Sequence, residues 1–253
     1  MRYLLLVLLL TGIPSAYAAQ LALIIDDIGY RRTDAAVLSL PQNVTLSILP
    51  YTPFGDQLAH KAHVKGHEIM LHLPMQALNG NALGMGGLTN LMDEAEIKSQ
   101  VDKALERIPF AKGVNNHMGS LLTQLQLPMH WVMQRLKQHE LYFVDSVTTH
   151  FTQAGNQARR EGVPLLERGI FLDNDLTPKV LEKQFRQAIA RAKTQGNLVV
   201  IAHPHPETVL FLKENLGRLA AQGITLVPTS ALLGLGTQRL AKAQLESNQS
   251  TSR

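Results

Sequence analysis

Short, almost uninterrupted apolar runs alternate along this chain with stretches whose apolar residues recur at helical spacing, and this rhythm constrains the fold most. Candidate strands are 21–25, 44–49, 68–71, 141–144, 169–172, 198–202 and 224–227, with 112–114 a weaker one. A strand that is apolar on successive residues has both faces covered, as in a parallel sheet flanked by helices. With 253 residues, 45% hydrophobic and 17% charged, the chain can bury one substantial core. Strand–helix alternation in a single α/β domain predicts a (β/α) barrel, with a doubly wound open sheet as the alternative.

The helix signals agree with that rhythm. Asp93 with Glu96 forms a capping box, Met92 and Ile97 can staple the first turn, and Ile97, Val101, Ala104, Leu105 and Ile108 share one face before Pro109. Thr177 is placed to cap a second helix with Pro178 at its first position. Its stripe is Leu181, Phe185, Ala188, Ile189 and Ala192, and Gly196 ends it. Further helices are expected over 129–139 and 207–222. Residues 77–92, rich in Gly and Asn, lack periodicity and predict a long surface loop of the kind that borders sites.

The chain ends carry different information. Met1 and Arg2 precede an aliphatic run over 4–10, and Ala16-Tyr17-Ala18 supplies the small residues of a cleavage site. The expectation is a signal peptide over 1–18, a barrel domain over 19–236 and a polar, disordered tail over 237–253. The apolar run is too short to span a bilayer comfortably, so no transmembrane segment is expected in the mature chain, which would work in a bacterial periplasm. The absence of cysteine removes disulfides, thiolate metal sites and cysteine nucleophiles. Net charge is +4, but Lys and Arg are scattered; no nucleic-acid partner is expected, and an anionic envelope polymer is compatible.

Polar residues gather just after the predicted strands, at the end of a barrel where separate segments converge. Asp26 and Asp27 follow the first; His72, then Asn115, Asn116 and His117, then Asp145 and Ser146, then Asp173, then His203 and His205 follow others. Adjacent carboxylates in one cleft call for a cation or a shared proton, although alone they could cap a turn before Ile28-Gly29. His67 and His72 do not have zinc-protease spacing and face opposite ways on a strand, so His67 is structural and His72 the ligand candidate. His60 and His63 fit a solvated helix face better than a metal pair. The 115–120 stretch suits either a backbone approached by a ligand or an Asn-rich turn. His203 lies nearer its strand than His205 and is the better site candidate. No nucleophile elbow surrounds Ser120, Ser146 or Ser230, and no phosphate loop or dinucleotide fingerprint occurs.

Taken together, Ile24-Ile25-Asp26-Asp27-Ile28-Gly29, Leu71-His72-Leu73-Pro74-Met75, the stretch from Gly113 to Ser120, Phe143-Val144-Asp145-Ser146 and Phe171-Leu172-Asp173 resemble the divergent polysaccharide deacetylase family. The resemblance spans about 21–234 and implies the irregular (β/α) barrel of carbohydrate deacetylases that look like NodB. It implies Asp26 as base, Asp27 as metal ligand, His72 as a second ligand and His203 as the histidine of the last motif. Gln76 stands where the wider group has its other ligand histidine, and His117 is the replacement expected here. The group's arginine–proline motif is absent. The resemblance further implies a divalent metal ion, zinc by donor type, and an N-acetylated polysaccharide or peptidoglycan as substrate. Asn115, Asn116, Asp145, Ser146 and Asp173 are the expected substrate or oxyanion contacts. The competing expectations are a catalytically reduced barrel that binds glycan or a cell-wall enzyme, and a different metal-dependent amide or ester hydrolase.

Overall fold

The computed structural model describes residues 18–234. The expected signal peptide, Ala18 apart, and the expected tail lie outside the described residues. Strands are β1 (Ala19–Ile28), β2 (Thr45–Ile48), β3 (Ile69–Met75), β4 (Ala111–Met118), β5 (Tyr142–Asp145), β6 (Leu165–Glu167), β7 (Ile170–Phe171), β8 (Asn197–Ala202) and β9 (Ile224–Val227). Helices are α1 (Gly55–Val64), α2 (Glu94–Arg107), α3 (Gln126–Gln138), α4 (Ala154–Glu161), α5 (Pro178–Gln195), α6 (Pro206–Asn215) and α7 (Arg218–Ala221). Among the described residues no helix is long and apolar enough to cross a membrane.

The strands form one parallel sheet in the order β6-β5-β4-β3-β2-β1-β8-β7, with β9 also on β1. The long β1 pairs with β8 on one side; on the other, β9 flanks its first half and β2 its second. β6 and β7 are the sheet's two ends, yet they are consecutive in the chain. The stretch 165–171 bonds first to β5 and then to β8, with Arg168 N–H donating to Asp145 O at 2.9 Å and Gly169 N–H to Val199 O at 2.8 Å. A kinked segment rather than a ladder thus completes the irregular (β/α) barrel, and the open-sheet alternative does not apply.

Two apolar layers explain the uninterrupted strands. Leu21, Leu23 and Ile25 of β1, Leu71 and Leu73 of β3 and Val200 of β8 face the helices. Their neighbours Ala22, Ile24, Met70, Val199 and Ile201 fill the barrel with Tyr142 and Val144. Continuing the two-residue period carries Ala22 and Ile24 to Asp26, Met70 to His72, and Val199 and Ile201 to His203, so the interior face ends in ionisable side chains. Beneath them, buried Glu68 accepts bonds from Tyr142 Oη at 2.8 Å, Ser230 N–H at 2.9 Å, Thr45 Oγ1 at 3.4 Å and the Ser230 hydroxyl. That carboxylate fastens the segment after β9 to the barrel interior.

Local signals hold with some differences. Both bonds of the Asp93–Glu96 capping box form, each 2.9 Å long. Pro178 opens α5 and Gly196, at φ 77°, ends it, but Thr177 makes no side-chain cap; its N–H donates to Asp175 Oδ1 at 2.8 Å instead. The helix expected over 207–222 breaks into α6 and α7, and α3 begins a turn earlier than 129. The 77–92 loop is present, pinned by buried Leu88, whose N–H reaches Pro74 O at 2.8 Å.

Candidate metal centre

The end of β1 is irregular. Its register on β2 shifts between Ile25 and Ile28, and Asp27 sits at φ 58°, a left-handed conformation uncommon outside glycine. On a regular strand Asp26 and Asp27 would face opposite sides. Here both approach His72: Asp26 Oδ1 lies 3.8 Å from Nδ1 and Asp27 Oδ1 3.0 Å from Nε2. Backbone strain of this kind persists only where surrounding contacts hold it, and it gathers at functional sites.

Asp27, His72 and His117 each offer one ligand atom, all mutually within 4.8 Å. His117 Nδ1 lies 2.8 Å from Asp27 Oδ1 and 3.2 Å from His72 Nε2. A tetrahedral ion with bonds of about 2.1 Å separates its ligands by roughly 3.4 Å, so the donors already stand near the spacing such an ion imposes. The set therefore fits a divalent ion in both donor chemistry and spacing. Although burial opposes it, hydrogen bonds from His117 and His72 hold the Asp27 carboxyl far below the usual carboxylate range. Burial likewise opposes charge on His72, yet Asp26 and Asp27 outweigh it and raise that imidazole.

Asp26 and His203 flank this cluster. Burial raises the Asp26 carboxyl, with His72 and His203 as partial offsets, and Asn115 Nδ2 donates to its two oxygens at 2.8 and 3.0 Å. His203 Nδ1 bonds Asp173 Oδ1 at 2.9 Å, and its N–H donates to Asp173 Oδ2 at 2.7 Å. Thr208 Oγ1 donates to the same Oδ2 at 2.9 Å. Against the burial penalty, Asp173 first and then Asp27 and Asp26 raise His203 to about 9. The ring stacks on Phe171 at 6.0 Å, and the Arg168 guanidinium lies 3.9 Å from the far ring's centroid. Asp27, His117 and His203 open on a cavity of about 220 Å³ whose other walls include Tyr30, Arg31, Asp34 and His205.

The remaining expected contacts have other duties. Asn116 Oδ1 accepts from Ser146 N–H at 2.9 Å, Asn116 Nδ2 donates to Met118 O at 2.7 Å, and Ser146 Oγ donates to Asn116 O at 3.0 Å. These bonds tie the end of β4 to the end of β5. Asp145, raised by burial, accepts from Val147 N–H and Thr152 Oγ1, each at 2.8 Å. Asn115, Asn116 and Ser146 are buried, with their side-chain donors bonded inside the protein. The carboxylate oxygens of Asp145 and Asp173 likewise bond neighbouring groups of the protein.

His67 is structural, its Nδ1 2.9 Å from Val44 O, while His60 and His63 are exposed and lie against Phe110. Gln76 latches the long loop by accepting from Asn90 N–H at 2.7 Å. Tyr30, Arg31 and Asp34 were not legible as cavity residues in the sequence. Asp34, buried, accepts from Gly29 and Arg31 N–H at 2.9 and 3.0 Å and so fixes the turn that carries Tyr30 and Arg31. An Asp shortly after a glycine turn was the available signal.

A family model described as divergent polysaccharide deacetylase matches residues 23–233. The chain belongs to that family. It is 40% identical over 217 residues to the uncharacterized protein YibQ of Escherichia coli K12, covering 85% of this chain and 68% of that one. It is 35% identical over 202 residues to an uncharacterized protein of Haemophilus influenzae Rd, covering 79% and 72%. Among solved structures, uncharacterized protein ATU2773 of Agrobacterium tumefaciens C58 superposes with a TM-score of 0.81 at 21% identity, over 87% of this chain and 92% of that one. A lactam utilization protein of Thermus thermophilus gives 0.54 at 16% identity, over 82% and 99%. These two likenesses show the fold alone.

Proposed function

We propose that this divergent polysaccharide deacetylase is an extracytoplasmic, metal-dependent hydrolase that removes N-acetyl groups from an envelope polysaccharide or peptidoglycan sugar. The observation that carries it is one donor cluster, Asp27, His72 and His117, with the carboxylate of Asp26 and the imidazole of His203 beside it. When bound there, a divalent ion, zinc by donor type, supplies Lewis acidity toward an acyl oxygen and lowers the pKa of water.

The chain's own groups supply the proton transfers. Asp26, whose proton affinity is raised by burial, accepts the proton of the attacking water as its oxygen bonds the acyl carbon. His203, raised to about 9, is protonated at neutral pH and gives its proton to the nitrogen as the C–N bond breaks. Asp173 holds that ring by Nδ1 and leaves Nε2 toward the cleft, 4.0 Å from Asp27 Oδ2. The products are acetate and the free amine. Export through the segment over 1–18 belongs to the same proposal, supported by the charged start, the aliphatic run and the small residues at 16 and 18.

The test is metal analysis together with acetate release from N-acetylglucosamine polymers and peptidoglycan. The expected result is one divalent ion per chain and acetate from at least one polymer. Metal binding without acetate from any of them would favour a glycan-binding barrel. The observation on that side is Gln76, a loop latch at the position where the wider group has a ligand histidine.

A further inference from the structure

Asn115 is completely buried on the interior of β4, in register with His72 on β3. Its Nδ2 donates to both oxygens of Asp26, and among the described residues no other hydrogen-bond donor to that carboxylate is present. Its Oδ1 lies 2.7 Å from Ser47 Oγ and 2.7 Å from His72 Nδ1. An ionised carboxylate only accepts hydrogen bonds, so the amide NH2 must face Asp26. Oδ1 then faces Ser47 and His72, and a carbonyl oxygen also only accepts, so both of these must donate. His72 therefore carries a proton on Nδ1. In the charged ring Nε2 also carries a proton, which it shares with Asp27; when that proton leaves, as ligation of a metal requires, the lone pair falls on Nε2, the atom beside Asp27 and His117. A flip of the amide would set its NH2 against Nδ1–H and its oxygen against a carboxylate.

We propose that Asn115, braced by Ser47, is the positioning residue of this site: one amide both orients the Asp26 carboxylate and fixes the His72 tautomer that turns a lone pair toward the metal position. Neither residue touches a substrate or an ion in this role. The kinetic consequence rests on the hydrolase proposal above, whereas the tautomer does not depend on it. Ser47 fills the second lone pair of Oδ1, which keeps the amide from rotating when a ligand enters.

The decisive measurement is the tautomer of His72 by 15N NMR of histidine-labelled protein, with zinc and in its absence at alkaline pH, assigned by comparison with His72→Gln. A hydrogen on Nδ1 with bare Nε2 is expected, and a bare Nδ1 overturns the proposal. Asn115→Asp keeps the shape but replaces the donor by an acceptor, and zinc affinity measured by chelator competition should fall about 10- to 100-fold, the usual effect of disturbing a ligand's hydrogen-bond partner. Ser47→Ala should weaken it several-fold, and unchanged affinity in Asn115→Asp also overturns the proposal. If Asn115→Asp does not fold, the wild-type tautomer still decides. If no acetate is released but the tautomer is as stated, the hydrolase proposal fails and this one stands. With an active enzyme, Asn115→Asp should lower kcat far more than it changes KM.

Discussion

Asp26 and Asp27 are adjacent, yet their surroundings separate their tasks. Burial lifts Asp26 while two imidazoles hold Asp27 down, so one carboxylate is suited to take a proton and the other to remain ionised against a cation. Asp26→Asn should therefore retain metal while losing on the order of a hundredfold or more in deacetylation rate, because an amide cannot accept the water's proton. Full activity in that variant would move the base elsewhere. His117→Ala should lose stoichiometric metal by elemental analysis; retention would mean that another third ligand serves. His203 adds a pH dependence of fixed sign. Its folded value of about 9 exceeds the ordinary 6.5, so its stabilising contribution is fully present below 6.5 and is lost as pH rises through 9. The melting temperature of metal-free protein should fall between those limits, and Asp173→Asn should flatten that slope. An unchanged slope would show that Asp173 is not the main cause.

Elements differ in how openly the sequence declares them. β1 and β8 were legible as uninterrupted apolar runs because each strand is covered on both faces, and the strand's period of two brings Asp26 and His203 inward. The bulge that turns Asp27 the same way was not, since it depends on a register shift against β2 and on a left-handed residue that is not glycine. The short β6 has no periodicity of its own and exists through its bonds to β5. The break between α6 and α7 was missed because the apolar stripe runs through it without a proline. Asn115, Asn116 and Ser146 stood out in the sequence as polar residues at strand ends, but which way an amide points is set by partners on other strands, so their bonds were not legible there. The α2 cap is a purely local device: Asp93→Ala should cost about 1 kcal/mol in denaturant unfolding and leave metal affinity unchanged. Loss of metal in that variant would mean that α2 is coupled to the site.

At the scale of the molecule, the barrel must hold six strand ends in one place without a continuous ring of ladder bonds. The kinked 165–171 segment joins β5 to β8, and the cluster around Glu68 closes the interior beneath the apolar layer. Thr229 N–H reaches Thr45 Oγ1 at 3.1 Å in the same cluster, so the segment following β9 is tied to the start of β2. Glu68→Ala would leave the buried Tyr142 hydroxyl and the Ser230 N–H without their acceptor. Each orphaned donor costs about 1–3 kcal/mol, and a cavity adds to that. Glu68 immediately precedes β3 and Met70 separates it from His72 on the inward side, so the damage should stay below the candidate metal ligands. Glu68→Ala is therefore expected to unfold at clearly lower urea while its folded fraction binds zinc with unchanged affinity. Weakened zinc binding at concentrations where the variant is fully folded would show that the Glu68 cluster and the metal centre form one coupled network rather than two independent layers.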